Sequence, residues 1–183
     1  MSNEKKSVQG LLKFIDNSPT PFHAVEEMKS KLIAQGYSEL KESDTWELIS
    51  NGKYFLTRND SSLIAFIVGT KTKDASGFKI IGAHTDSPNL KLKPNPVYDK
   101  SGYTQLGVEV YGGVLLTTWT DRDLSLAGRA IIKGKKQPQS KLILFDEPLL
   151  RIPQLAIHLN RDINEKGLTL NKQNHLPPIF SLS

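Results

Sequence analysis

The sequence predicts an α/β protein whose two halves differ in texture, and three observations carry that prediction. Up to Gly36, apolar residues recur at helical spacing; Lys53 to Gly69 and Phe78 to Ala83 hold apolar runs of strand length. Beyond Pro88 the chain turns to short strands punctuated by glycine and proline. Helices that precede a buried sheet fit an α/β layer, and the second half reads as all-β.

Val8, Leu11, Leu12 and Ile15 fall at spacings of three, one and three, which marks a short amphipathic helix. Asn17-Ser18-Pro19-Thr20-Pro21 breaks it. Thr20 then suits an N-cap with Pro21 at the first helical position, and Phe22, Val25, Met28, Leu32 and Ile33 share one face until Gly36 offers a stop. Next come two antiparallel strands, Lys53 to Arg58 after an Asn51-Gly52 turn and Leu63 to Gly69 after the polar Asn59-Asp60-Ser61-Ser62 turn. The second is apolar throughout, and so is Phe78 to Ala83 after the loop Thr70 to Gly77; both are expected to be strands covered on two faces.

Past Pro88, Leu90-Lys91-Leu92-Lys93 alternates cleanly, Gly107 to Tyr111 less regularly, and Ala127 to Lys133 and Lys141 to Phe145 read as short strands around a solvated tip at Gly134 to Pro138. A domain boundary is placed near Ser87 to Pro94, giving domains of 1–88 and 89–183. Leu149 to Asn160 is the one late helix candidate, although Pro153 sits awkwardly inside it. Leu168 to Ser183 offers no closing element, which fits a fragment.

At 183 residues there is length for one domain or two small ones. Lysine plus arginine is 24 against 19 for aspartate plus glutamate, a net charge of +5 that permits an anionic partner without demanding one. Aromatic residues are not interleaved with the basic ones as a nucleic-acid stacking platform requires, so no nucleic-acid partner is expected. The absence of cysteine excludes disulfides, thiolate metal sites and a cysteine nucleophile. The longest apolar run, Leu63 to Val68, is too short to span a bilayer, so no membrane partner is expected and a cytoplasmic location is the default.

Any bound metal must therefore use imidazole and carboxylate. Histidines stand at 23, 84, 158 and 175. His23 in the first turn of the second helix suits a part-exposed or capping role, and His175 beside Pro177-Pro178 suits a loop. His84 differs, because an apolar run leads directly into His84-Thr85-Asp86. Such a strand end can aim an imidazole at a metal while Asp86 fixes its tautomer or lies behind the metal. The same spacing also fits a satisfied core histidine beside a turn-forming aspartate.

Five blocks resemble the aspartyl aminopeptidase family, two-zinc exopeptidases that include vacuolar aminopeptidase I. They are Ser18-Pro19-Thr20-Pro21-Phe22-His23-Ala24-Val25, Gly82-Ala83-His84-Thr85-Asp86-Ser87-Pro88, Gly107-Val108-Glu109-Val110-Tyr111-Gly112-Gly113, the stretch Thr118 to Arg129, and Leu150 to Leu159. The resemblance implies that His84 is a zinc ligand, that Asp86 is the catalytic-site carboxylate orienting it, and that His158 is a histidine reaching a neighbouring subunit's active site to contact substrate. It implies an α/β/α zinc-peptidase domain interrupted by a β-rich oligomerisation domain, two zinc ions per complete site, peptide substrates and homo-oligomers. Residues 1–88 would be the first part of the peptidase domain and 89–183 most of the insertion.

The family's bridging aspartate, general-base glutamate, remaining carboxylate ligands and second histidine have no counterpart here. The expectation is therefore a truncated chain, inactive in isolation, that associates through unpaired apolar edges. The alternative is a naturally truncated, non-catalytic subunit that joins a homologous full-length enzyme. Arg122 and Arg129 are the candidates for reading an acidic substrate side chain.

Overall fold

A computed structural model describes residues 3–70 and 77–183. Most of the expected loop Thr70 to Gly77 lies outside the described residues. The chain forms two compact units, Met1–Asp86 with Ala127–Ile143, and Ser87–Leu126 with Leu144–Ser183.

The first unit opens with α1 (Asn3–Asp16) and α2 (Pro21–Ala34). Thr20 caps α2 as its sequence suggests: its backbone is extended (φ −139°, ψ 163°), its hydroxyl accepts from the His23 amide, and Pro21 occupies the first turn, where no amide hydrogen is needed. The other end closes at Gly36, whose φ of +79° suits a residue without Cβ. There the Tyr37 amide donates to the Leu32 carbonyl and the Gly36 amide to that of Ile33, both at 3.0 Å, satisfying the last helical carbonyls.

Behind α2 lies a three-stranded sheet ordered β1 (Ser38–Glu39), β2 (Lys53–Arg58), β3 (Ser62–Ile67). Strand β2 is central, parallel to β1 and antiparallel to β3, with Lys53 opposite Ile67 and Arg58 opposite Ser62. Its successive residues Tyr54, Phe55 and Leu56 are all buried, so both its faces are covered. These residues, with Ala24 and Val25 of α2, make the first core. The unit is completed by β7 (Ala127–Ile132) and β8 (Gln139–Leu144), paired around the basic tip at Gly134 to Pro138; only Leu144 of β8 falls in the second unit.

Two expectations for this unit are corrected. Strand β3 is apolar but not buried: Ile64 and Ile67 are more than half exposed, because β3 is the sheet's edge and, among the described residues, only β2 pairs with it. Phe78 to Ala83 is not a strand. It runs as unpaired chain with Phe78, Ile80 and Ile81 almost wholly exposed, since a strand exists only when a neighbour accepts its backbone hydrogen bonds and none does so among the described residues.

The second unit is a five-stranded sheet. Its longest members are β4 (Asn89–Lys100) and β5 (Tyr103–Tyr111), joined by Ser101-Gly102 with φ of +55° and +81°, a two-residue turn whose handedness matches strand twist. Register slips between Leu92 and Val97, where Pro94 and Pro96 cannot donate to the ladder. The sheet order is β4, β5, β10 (Ile179–Leu182), β9 (Leu150–Arg151), β6 (Asp123–Leu124). Its core contains Leu106, Val108, Leu150, Ile152 and the fully buried Leu176, while the buried Thr120 hydroxyl accepts from the Gln154 amide.

Two further expectations fall here. Leu149 to Asn160 is no helix; Leu150 and Arg151 pair with β6 and β10, and only the single turn Ile157–Leu159 is helical, of the tight 3-10 kind. Pro153 removes the amide a helix would need and pushes Ile152 toward extended backbone. The last residues do supply a closing element: β10 is antiparallel to both β5 and β9 and is the middle strand of the sheet.

Candidate metal centre

His84 and Asp86 meet in the first unit, on the extended segment that follows Phe78 to Ala83. The His84 ring Nδ1 lies 2.7 Å from the Asp86 backbone carbonyl and 3.3 Å from its Oδ1. A carbonyl oxygen can only accept, so Nδ1 carries the proton and donates it. The neutral ring then keeps its lone pair on Nε2, and the side chain is 81 % exposed. This is the tautomer in which an imidazole offers Nε2 to a metal while an oxygen acceptor holds its other nitrogen. At such exposure the His84–Asp86 attraction adds little stability; its effect is to orient the ring.

Thr85, between them, donates from Oγ1 to the Ser61 carbonyl at 2.7 Å, tying the segment to the turn between β2 and β3. Sequence reasoning passed over Thr85, because its partner stands 24 positions away and no local signal marks it.

The other histidines go elsewhere. His23 is tied to its helix cap, with Nδ1 2.7 Å from Thr20 Oγ1, and burial lowers its pKa below the usual 6.5. His175 Nδ1 accepts from the Asn171 amide at 3.1 Å within a loop. His158 lies in the second unit on the turn Ile157–Leu159 and is exposed. Arg122 donates to the Thr118 carbonyl. Arg129 is largely covered: its guanidinium carbon lies 4.1 Å from the Phe22 ring centre, and its nitrogens reach Asn59 and Asp60.

Zinc is held by three or four nitrogen, sulfur or oxygen donors. Among the described residues no group of three or more histidine, aspartate or glutamate side chains converges. His84 with Asp86 thus fits one corner of a zinc site and does not close one.

Residues 14–183 match the family described as Aminopeptidase I zinc metalloprotease (M18). A probable M18 family aminopeptidase 2 of Clostridium acetobutylicum is 49 % identical over 185 residues, covering all of this chain and 42 % of the relative. Among solved structures, a chain of the Ape4 and Nbr1 complex superposes with a TM-score of 0.93 at 42 % identity, covering 97 % of this chain and 34 % of that one. The mApe1 dodecamer of S. cerevisiae gives 0.77 at 28 % identity, covering 97 % and 48 %. The chain has an α/β fold that resembles M18 aminopeptidase structures along nearly its whole length. The chain belongs to the M18 aminopeptidase family. It spans about two fifths of the length of the curated relatives it matches.

Proposed function

We propose that this chain is the N-terminal portion of a zinc-dependent aminopeptidase that removes N-terminal residues, acidic ones among them, from peptides in the cytoplasm. His84 contributes Nε2 to one of two zinc ions, and Asp86 orients it. His158 serves the active site of a neighbouring subunit in a homo-oligomer, as the resemblance implies. Residues 1–88 belong to the peptidase domain and 89–183 to an inserted β-rich domain; within the latter, the β7–β8 hairpin is the part that groups with the first unit.

The observation that carries this reading is the His84 geometry: Nδ1 is engaged by Asp86 and Nε2 is left for a ligand. One imidazole and one carboxylate cannot hold zinc in its four-donor geometry, so the chain by itself is proposed to be inactive. The test is hydrolysis of aspartyl and leucyl chromogenic substrates with added zinc, by this chain and by a version extended to the length of its relatives. Activity confined to the extended version is expected; full activity in the short chain sinks the reading. Replacing His84 by Ala in the extended version should remove activity, and an unchanged rate would strike His84 from the ligand set.

A second reading, a non-catalytic subunit that joins full-length enzyme, draws support from the exposed Phe78, Ile80 and Ile81, a surface another chain could cover. Recovery of the short chain inside particles of the full-length enzyme supports it; exclusion from them rejects it.

A further inference from the structure

We propose that Arg129 and Thr85 are positioning residues, which set the His84–Asp86 segment in place by gripping the turn between β2 and β3. The inference rests on the reading of His84 as a metal ligand only for its functional meaning; the relay itself stands on geometry. That turn is Asn59-Asp60-Ser61, closed by the Ser61 amide donating to the Arg58 carbonyl at 3.2 Å. Both Asn59 and Asp60 have φ of +53°, a left-handed conformation that most side chains disfavour and that Asn and Asp tolerate best. Two consecutive left-handed residues give the turn one defined shape, so a partner that grips one of its carbonyls also fixes where the next one points.

Two partners grip it. From β7, Arg129 Nη1 donates to the Asn59 carbonyl at 2.8 Å, Nη2 reaches the Asn59 side-chain oxygen at 3.4 Å, and Asp60 Oδ2 lies 3.5 Å from Nη1. The guanidinium is also stacked on Phe22 of α2, which fixes its plane, and the side chain is only 20 % exposed. At the last residue of the turn, Thr85 Oγ1 donates to the Ser61 carbonyl at 2.7 Å. Thr85 is flanked by the two residues of the candidate metal corner, and among the described residues the stretch before it pairs with no strand. The hydroxyl is therefore a tether between this turn and the residue that joins His84 to Asp86. With Nη1 and Nη2 engaged by Asn59 and Asp60 and the side chain largely covered, Arg129 is assigned to this relay and not to reading a substrate carboxylate.

The test uses the full chain labelled with 15N-histidine, whose four ring systems are resolved by long-range nitrogen–proton spectra at about pH 8, where imidazoles are neutral. His84 is expected mainly as the Nδ1–H tautomer. Thr85→Val and Arg129→Ala should each lower the ratio of that tautomer to the other by about threefold, the weight of one part-exposed hydrogen bond. The double variant should go no further, because both changes cut one relay. Thr85→Ser should restore the ratio, and the His175 signals should not move in Thr85→Val.

A merely structural Arg129 would shift thermal unfolding and leave the His84 tautomer where it was; that result, or strictly additive effects, overturns the relay. If Arg129→Ala does not fold, Thr85→Val with its serine rescue decides. Zinc titration of the version extended to the length of its relatives separates the two ideas. Absence of any zinc-induced shift at His84 Nε2 in that version counts against the ligand reading alone, whereas unchanged tautomers in both variants count against the relay alone.

Discussion

Thr20 shows how much one hydroxyl can hold. It accepts from the His23 amide at the start of α2 and stands 2.7 Å from the His23 ring. Burial disfavours the charged imidazole and lowers its pKa. With the folded value below the unfolded one, the two states bind protons equally above the unfolded value, and no stability is lost there. As pH falls through that value, near 6.5, the unfolded chain takes up a proton that folded His23 resists, so stability declines until the lower folded value is passed. Urea midpoints should therefore drop as pH falls through the ordinary imidazole range near 6.5, and His23→Gln should flatten part of that drop. An identical slope in the variant would show that His23 is not the group responsible.

At the scale of elements, the parts legible in the sequence were those whose hydrogen bonds are local. The Thr20-Pro21 cap and the Gly36 stop delimit α2 because their partners lie within five residues. The contact between His84 and Asp86 is legible for the same reason, the two being two positions apart. Distant partners left no such mark. The apolar β3 run reads identically whether one neighbour or two pair with it, and among the described residues only β2 does. Leu150 and Arg151 resemble the start of a helix until Asp123, Leu124 and Ile179 claim them as a strand. The hold of Arg129 on Asn59 spans 70 positions, beyond any periodicity.

The strand that sequence reasoning missed can be tested through its neighbourhood. Leu176, fully buried just before β10, should cost about 2–5 kcal/mol on replacement by Ala, whereas the exposed Leu182 should cost no more than about 0.5 kcal/mol. Equal effects in urea unfolding would mean that the C-terminal segment does not close this sheet.

For the whole molecule the weightiest fact is what lies uncovered. Val8, Leu11, Leu12 and Ile15 of α1 are each more than half exposed, as are Ile64 and Ile67 on the edge strand, while Phe78, Ile80 and Ile81 are almost bare. Single exposed apolar residues are ordinary, but runs of them beside an open edge drive association. Sedimentation should show mass rising with concentration, and the double variant Ile80→Asp, Ile81→Asp should reduce that rise. A chain that stays monomeric throughout would mean these side chains find cover within it. No helix among the described residues is long and apolar enough to cross a membrane, so a bilayer-spanning helix does not account for that apolar surface.

The placing of β10 also sets an order of events. Strands β4, β5, β6 and β9 leave the ribosome before it, yet β5 and β9 have nothing to share until Ile179 pairs with Gln105 on one side and Arg151 on the other. During synthesis the sheet must wait as two separate flaps, a β4–β5 hairpin and a β6–β9 pair, and be zipped from its middle by residues 179–182. Pairing across more than seventy intervening positions is slow to search for, which leaves the nascent second unit open to proteases and chaperones until β10 arrives.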